Sequence, residues 1–544
     1  MFVRVKKTGE YQYLQIVQTY REGRKVKQRV VSTLGRLDKM QEKGEVDGII
    51  NSLSKYSSNV LMLLTSKSLP ESQVLKIGPV LIFKRLWEES GIRTVLGQLL
   101  KDRKHQFDVG LAIFITVLHR LFVSGSDRSC EVWMQDYAIE GSETLSLHHF
   151  YRAMAFLGTP LDGQGGKTPF APRCIKDLIE ERLFYRRRTL FSKLELVFFD
   201  TTSIYFEGEG GDELGQYGNS KDHRPDRRQM VVGAVLDDKG FPLCCEIWPG
   251  NTADVNTLIP IADRLNKRFG VKKMCVVADR GMISQDTIDA METKGIDYIL
   301  GVRMRKVKRV KKEVLTRQGR YQEVIPEKPG SKAPAPLKVK QVWHEDERYI
   351  ICLNPKQARK DKADRENIIE SLKNRLKQGP KSMIGNKGYS KYLKVTKDAM
   401  QVDTAKVKEE ERYDGKWVLT TSLDMAPEDV ALKYKELWMV EHIFRDVKSI
   451  LETRPIYHKV DETIRGHVFC SFLALVLKKE LDRRLEASGE NLEWFQVKQD
   501  LKSMKEITIE ESDSKIKLRT QARGSCHAIF QAVGMALPPT IRKI

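Results

Sequence analysis

Three carboxylates in different settings carry the chemistry open to this chain. Asp200 closes the apolar run LELVFFD, and Asp279 closes KKMCVVAD. Small or polar residues follow each, Thr201-Thr202-Ser203 and Arg280-Gly281, leaving room for a metal and a phosphate. An acid where a buried strand runs out is costly for packing alone, because its charge must be paired or solvated. Glu441 lies in YKELWMVEHIFRDVK (434–448), with Tyr434 seven residues before it and Lys448 seven after. Seven residues is nearly two helical turns, so phenol, acid and cation share one face, and Arg445 joins them one turn on. Three carboxylates on rigid elements can hold two divalent ions about 4 Å apart, activating a water or 3′-hydroxyl and stabilising the leaving oxygen of a phosphodiester. All ligands being oxygen, two Mg²⁺ are expected, with Mn²⁺ as substitute.

The elements that must position these acids follow from periodicity. Apolar runs at 194–200, 229–238 and 241–251 read as strands, followed by a helix at about 253–269, a strand at 272–279, a helix at about 284–294 and a strand at 297–303. The order β-β-β-α-β-α-β predicts an α/β fold with a mixed sheet covered by helices. Pro427, Glu428 and Asp429 suit a helix start and Pro455 forces a stop near Arg454, predicting one helix through 434–448. Trp438, on that helix, is expected to pack and fix it. Upstream, 1–40 alternates at period two, a β-hairpin pattern that is strongly basic. It is either a ribbon for DNA or a solvated hairpin. Residues 73–90, 107–123, 147–158 and 173–188 read as helices, making 45–190 mostly helical. Residues 313–420 hold a Pro-rich stretch, several strands and a charged helix at 359–377; 461–485 is another helix.

Lys plus Arg outnumber Asp plus Glu by 94 to 73 in 544 residues, a net charge of +21, which points to a polyanion, most simply nucleic acid. The eight cysteines form no CxxC pair and read as buried small hydrophobes in a reducing compartment. The opening MFVRVKKTGEYQ has no apolar centre, and VGLAIFITVL and SFLALVL are too short to span a bilayer, so a soluble, intracellular protein is expected. Candidate DNA contacts are Tyr434, Arg445 and Lys448, then Lys221, Arg224 and Arg227 in SKDHRPDRRQ, and Arg303 and Arg305 in RMRKVKRVKK. Trp248 in WPGN reads either as a base-stacking residue or as a buried aromatic.

With these motifs quoted, the chain resembles a DDE transposase of a bacterial insertion sequence. It is most similar to the insertion-sequence-four-like group, whose last acid sits in Tyr-x2-Arg-x3-Glu-x6-Lys. FFDTTS supplies the first acid and VVADRGM the second. Tyr434, Leu437, Glu441 and Lys448 match the motif's spacing throughout and its identity at three places. KDHRPDRRQ, WPGNTAD, YDGKWVLTTS and RPIYHKVDETIRGH extend the likeness over roughly 1–485.

The resemblance implies a ribonuclease-H-like core interrupted before its last acid by a β-rich insertion. It implies Mg²⁺-dependent cleavage at transposon ends and attack of the freed 3′-hydroxyl on target DNA. The partners implied are double-stranded DNA, as terminal inverted repeats and target, and a second copy of the chain in a synaptic complex; the location implied is the bacterial cytoplasm, at the nucleoid. The expected layout is a basic β-hairpin arm (1–45), a mostly helical DNA-binding region (46–190), the catalytic core (191–305 and 421–488), a β-rich insertion (306–420), and a C-terminal region (489–544) open to a dimerisation role. Leu437 departs from the group's arginine, which is expected to hold a phosphate; Arg445 or Lys435 could take that role. A ribonuclease-H-like endonuclease without strand transfer, or a non-catalytic DNA-binding protein, are the alternatives.

Overall fold

Strand β1, Leu196–Tyr205, carries the sheet that positions the acids. The computed structural model describes residues 1–22, 25–54, 71–123, 125–164, 172–187, 196–270, 274–324, 337–377, 391–395, 400–451, 453–511 and 514–543. Gly23 and Arg24 of the expected hairpin's REGRK turn (21–25), most of the Pro-rich stretch and the first residues of the strands expected at 194 and 272 lie outside them.

The remaining strands of this sheet are β2 (Gln229–Leu236), β3 (Pro242–Pro249), β4 (Cys275–Ala278), β5 (Asp297–Val302), β6 (Gln322–Val324), β7 (Leu337–His344), β8 (Glu347–Leu353) and β9 (Lys416–Thr421). Their order is β6-β7-β8-β9-β5-β4-β1-β2-β3. β4 runs parallel to both β1 and β5, and the other neighbours are antiparallel. Helices Leu258–Phe269 and Gln285–Thr293 link β3 to β4 and β4 to β5. Leu258, Ile261, Ala262 and Leu265 recur at helical spacing and pack with Phe199, Val276 and Leu300 in one core. The result is a mixed α/β fold with a large mixed sheet flanked by helices.

Strand β1 is longer than expected, and Asp200 stands in its middle rather than at its end. Thr201, Thr202 and Ser203 look like loop residues in sequence, yet they are buried and keep pairing with β2. The strands expected in an insertion also behave differently. β9 pairs with β5, Val418 opposite Val302, so β6 to β9 extend the core sheet instead of forming a sheet of their own.

Strand β3 lies at one edge. Lys176 Nζ donates to the Cys245 carbonyl (2.7 Å), and the Cys245 amide donates to Glu180 Oε1 (3.0 Å), so side chains of helix Ile175–Arg187 occupy this part of the edge. The same helix meets Arg268, which bonds Glu180 (2.6 Å), Glu181 (2.8 Å) and Glu246 (2.7 Å) and lies 3.2 Å from Asp177.

Helix Asp461–Ala487 is the longest among the described residues and is buried along most of its first five turns. It crosses helix Leu147–Gly158 at paired glycines: a Cβ on Gly466 would sit 1.9 Å from the Met154 carbonyl oxygen, and one on Gly158 would sit 2.0 Å from that of Glu462. Gly466→Ala must force these backbones apart, and we expect it to cost at least about 1–3 kcal/mol. An unchanged urea midpoint would show that the helices separate freely.

The chain divides into two compact units, Lys76–Ser503 with Ala522–Leu537, and Met1–Leu75 with Met504–Gln521 and Pro538–Ile544. In the latter, the expected hairpin is a three-stranded antiparallel sheet, Phe2–Thr8, Tyr11–Glu22 and Lys25–Arg36. A second sheet has the order 541–543, 514–519, 505–511, 71–76. The helix expected at 73–90 therefore starts later, at Gly78, with Pro79 in its first turn. Proline suits the first turn of a helix and not its interior, and the strand's partner is remote in sequence. No single helix among the described residues is long and apolar enough to cross a membrane, and all eight cysteines are free and buried.

Candidate active site

The parallel register of β1 and β4 brings two acids together. Pairing ends at Phe199 opposite Ala278, so Asp200 and Asp279 are the next residues on adjacent strands where these part. β1 continues beside β2, while the chain after Asp279 turns into the short helix Arg280–Met282. Glu441 sits in the first turn of helix Trp438–Arg445. All three acids line one cavity of about 350 Å³, together with Arg280, Tyr434, Lys435, Leu437, Trp417 and Trp438.

The helix expected to run unbroken through 434–448 is in fact two, Pro427–Lys435 and Trp438–Arg445, followed by a wider π turn at Asp446–Ile450. No proline or glycine marks the break. The chain tightens there through i→i+3 bonds, Met439 N to Glu436 O (2.9 Å) and Val440 N to Leu437 O (2.9 Å). Tyr434 and Glu441 both face the cavity across it, but Lys448 does not line it. Trp438, expected to pack, is 45% exposed.

Tyr434 donates its hydroxyl to Asp279 Oδ1 at 2.9 Å. Burial and the Asp279 charge raise the phenol well above its usual range, so it stays a donor. Gly301 on β5 makes room for it, since a Cβ there would lie 2.2 Å from the Tyr434 oxygen. A glycine inside an apolar strand is the sequence signal for such an approach. We expect Tyr434→Phe to lower DNA cleavage about 10-fold and to cost roughly 1.5–3 kcal/mol of stability, the usual worth of a hydrogen bond to a charged group. Gly301→Ala should do at least as much by displacing the ring. A Tyr434→Phe enzyme with wild-type cleavage kinetics would remove the phenol from the site's working parts.

Burial pushes the Asp200 carboxyl up to about 6, against the pull of Lys221, and Asp279 and Asp254 add to the rise. A carboxylate whose ionised form is disfavoured by burial and by neighbouring acids is one that a divalent cation stabilises. Three oxygen donors lining one cavity are the donor type that Mg²⁺ takes, so the expected metal fits them by chemistry. Among the described residues, the group whose ligand atoms lie within 4.8 Å of one another is a different one, Asp127 with His458 and His467, and it suits a cation poorly. Arg120 Nη2 already lies 2.9 Å from His467 Nδ1, and burial together with that guanidinium keeps His467 neutral.

Most basic candidates already hold an acid or a carbonyl. Arg303 donates to the carbonyls of Arg280 (2.9 Å) and Gly281 (2.7 Å), bracing the turn after Asp279. Arg305 pairs with Glu410 (3.2 Å), Arg224 with Asp226 (2.9 Å), Arg227 with Glu207 (2.9 Å) and Lys448 with Asp222 (2.7 Å). Lys221 reaches the Thr201 carbonyl (2.8 Å) and Asp254 (3.0 Å). Arg445 is exposed and does not line the cavity, whereas Lys435 does. Trp248 is 1% exposed and packs edge-on to Phe199, so its ring is not available for a base to stack on. Its strand alternation turns it into the core. Asp222 and Asp254 lie in KDHRPDRRQ and WPGNTAD, but the sequence reading picks out the cations and the tryptophan of these stretches and not the acids.

A family model described as the transposase DDE domain matches residues 191–477. The chain belongs to the DDE transposase family. It is a DNA transposase, and Asp200, Asp279 and Glu441 all lie within the matched segment. A model for the IS1634 family transposase N-terminal domain matches residues 3–65 of this transposase. No curated protein matches it. Among solved structures, a cryo-EM structure of the piggyBac transposase synaptic complex with hairpin DNA is similar at 12% identity, with a TM-score of 0.38, covering 78% of this chain and 79% of that one.

Proposed function

We propose that this transposase cuts the phosphodiester bonds at the ends of its element and joins the freed 3′-hydroxyl to target DNA, with Asp200, Asp279 and Glu441 as the metal-holding acids. The observation that carries this is the register of β1 and β4, which sets Asp200 beside Asp279 while Glu441 opens onto the same cavity. When bound, two Mg²⁺ would activate the attacking oxygen and stabilise the leaving one. Tyr434 orients Asp279 through its 2.9 Å hydrogen bond, and Arg303 holds the turn that follows. Arg280 and Lys435 stand at the cavity and supply the positive charge for the scissile phosphate that Leu437 does not. The strand order β3-β2-β1-β4-β5, antiparallel and then parallel, supports reading the core as ribonuclease-H-like. Pairing two ends calls for at least two copies of the chain, and the net charge of +21 suits the DNA they would gather.

Labelled terminal-repeat DNA incubated with the full chain and Mg²⁺ tests the reading. Cleaved ends followed by joined products support it. Cleavage without joining would leave an endonuclease, and cleavage by the triple variant Asp200→Asn, Asp279→Asn, Glu441→Gln would remove the site.

A further inference from the structure

Two consecutive residues of the β1–β2 loop tie down the two elements that carry the outermost acids. Lys221 Nζ donates to the Thr201 carbonyl (2.8 Å) and Thr201 Oγ1 (2.9 Å) and pairs with Asp254 (3.0 Å), while its amide donates to Ser203 Oγ (2.7 Å). Thr201 and Ser203 lie on β1, one and three residues beyond Asp200. Asp222 Oδ1 accepts from Lys448 Nζ (2.7 Å) and from Arg454, just beyond the Glu441 helix. The Asp222 side chain is 3% exposed, and its other oxygen has no hydrogen-bond partner among the described residues.

Glu441 needs such a tie. Its helix spans eight residues, preceded by the tight turn at Glu436–Leu437 and followed by the π turn. Neither end continues as regular helix, so side-chain anchors at its ends, together with its buried face of Val440, Ile443 and Phe444, fix where Glu441 stands. On one side Asp446 is held by Lys478 of helix Asp461–Ala487 (3.2 Å). On the other, Lys448 is held by Asp222.

We propose that Lys221 and Asp222 form a strut that sets the separation between Asp200 and Glu441, making them positioning residues for metal binding rather than grips on DNA. The proposal rests on the reading that the three acids hold the metal. A DNA-gripping loop would present its charges to solvent. Here each charge meets an opposite one within 3.0 Å, and Asp222 has the wrong sign for phosphate.

Charge alone and the strut predict opposite signs for one variant. Lys221→Met removes a cation beside Asp200, which by charge alone tightens divalent-cation binding. A lost strut loosens it. The test is Mn²⁺ binding to the full chain without DNA, by isothermal titration calorimetry, for wild type, Lys221→Met, Asp222→Asn and Asp222→Glu, with far-ultraviolet circular dichroism confirming folding. End-DNA affinity is measured in parallel at several salt concentrations. We expect both Lys221→Met and Asp222→Asn to weaken Mn²⁺ binding about 10-fold or more, as loss of groups that orient metal ligands does. Asp222→Glu should recover part of it, and the salt dependence of DNA binding should not change. Tighter Mn²⁺ binding by Lys221→Met, or unchanged Mn²⁺ binding with altered DNA affinity in Asp222→Asn, overturns the strut. The double variant Asp200→Asn, Glu441→Gln keeps the two readings apart: if it binds Mn²⁺ like wild type, the metal site itself fails, whatever Asp222 does.

Discussion

Glu441→Gln is expected to lower cleavage of terminal-repeat DNA at least ~1,000-fold, about 4 kcal/mol of transition-state stabilisation, while leaving binding of that DNA nearly unchanged. Glutamine keeps the side chain's length and one neutral oxygen. It loses the negative charge that makes a carboxylate a strong ligand for a divalent cation, and its amide nitrogen is no ligand for a hard cation. Glu441 is exposed, so the substitution leaves no buried group unpaired and the fold is expected to tolerate it. Protein–DNA affinity generally comes chiefly from contacts to phosphates, which one exposed carboxylate does not govern. Single-turnover cleavage of labelled ends and a mobility-shift titration separate the two quantities. Wild-type cleavage by Glu441→Gln would take this acid out of the metal site.

Arg268→Met is expected to destabilise the protein by about 3–5 kcal/mol, the usual result of stripping one partner from a buried ionic network. Arg268 is 2% exposed and bonds acids on helix Ile175–Arg187 and on β3, so methionine leaves Asp177, Glu180 and Glu246 short of one cation. Lys176 and Arg264 remain and limit the damage. Burial opposes ionisation of Asp177, but Lys176, Arg268 and Arg264 outweigh it and hold its carboxyl below the usual range. A depressed carboxylate contributes stability at neutral pH that is lost as pH falls through its lowered value. The gap between Arg268→Met and wild type should therefore be full near pH 7 and narrow in strong acid. Urea unfolding followed by circular dichroism measures it, and equal midpoints at pH 7 would show the network to be dispensable.

The central strands are legible in the sequence because apolar runs bounded by turns and acids are a local signal. The same signal misplaces the end of β1. Thr201, Thr202 and Ser203 look like loop residues, and only β2 alongside them shows why they stay extended. The break at Glu436–Leu437 has no local mark, because what shapes it is the pair of targets, Asp279 for Tyr434 and the cavity for Glu441. The basic candidates show the general limit. Sequence counts charges but not their partners, so Arg303, Lys221 and Lys448 look free for phosphate when each already holds an acid or a carbonyl. Asp222 goes unnoticed for the same reason, one acid in a stretch read for its cations. Trp248 was open between stacking and burial, and burial holds.

The edge of β3 also bears on how copies of this transposase can meet. Exposed sheet edges invite another chain to continue the ladder. At Cys245 both free backbone groups are taken by Lys176 and Glu180, side chains on a helix locked in place by Arg268. A strand of another copy cannot pair with Cys245 without displacing Lys176 and Glu180. The buried charges that look like a stability device also close this point of the sheet edge to another strand.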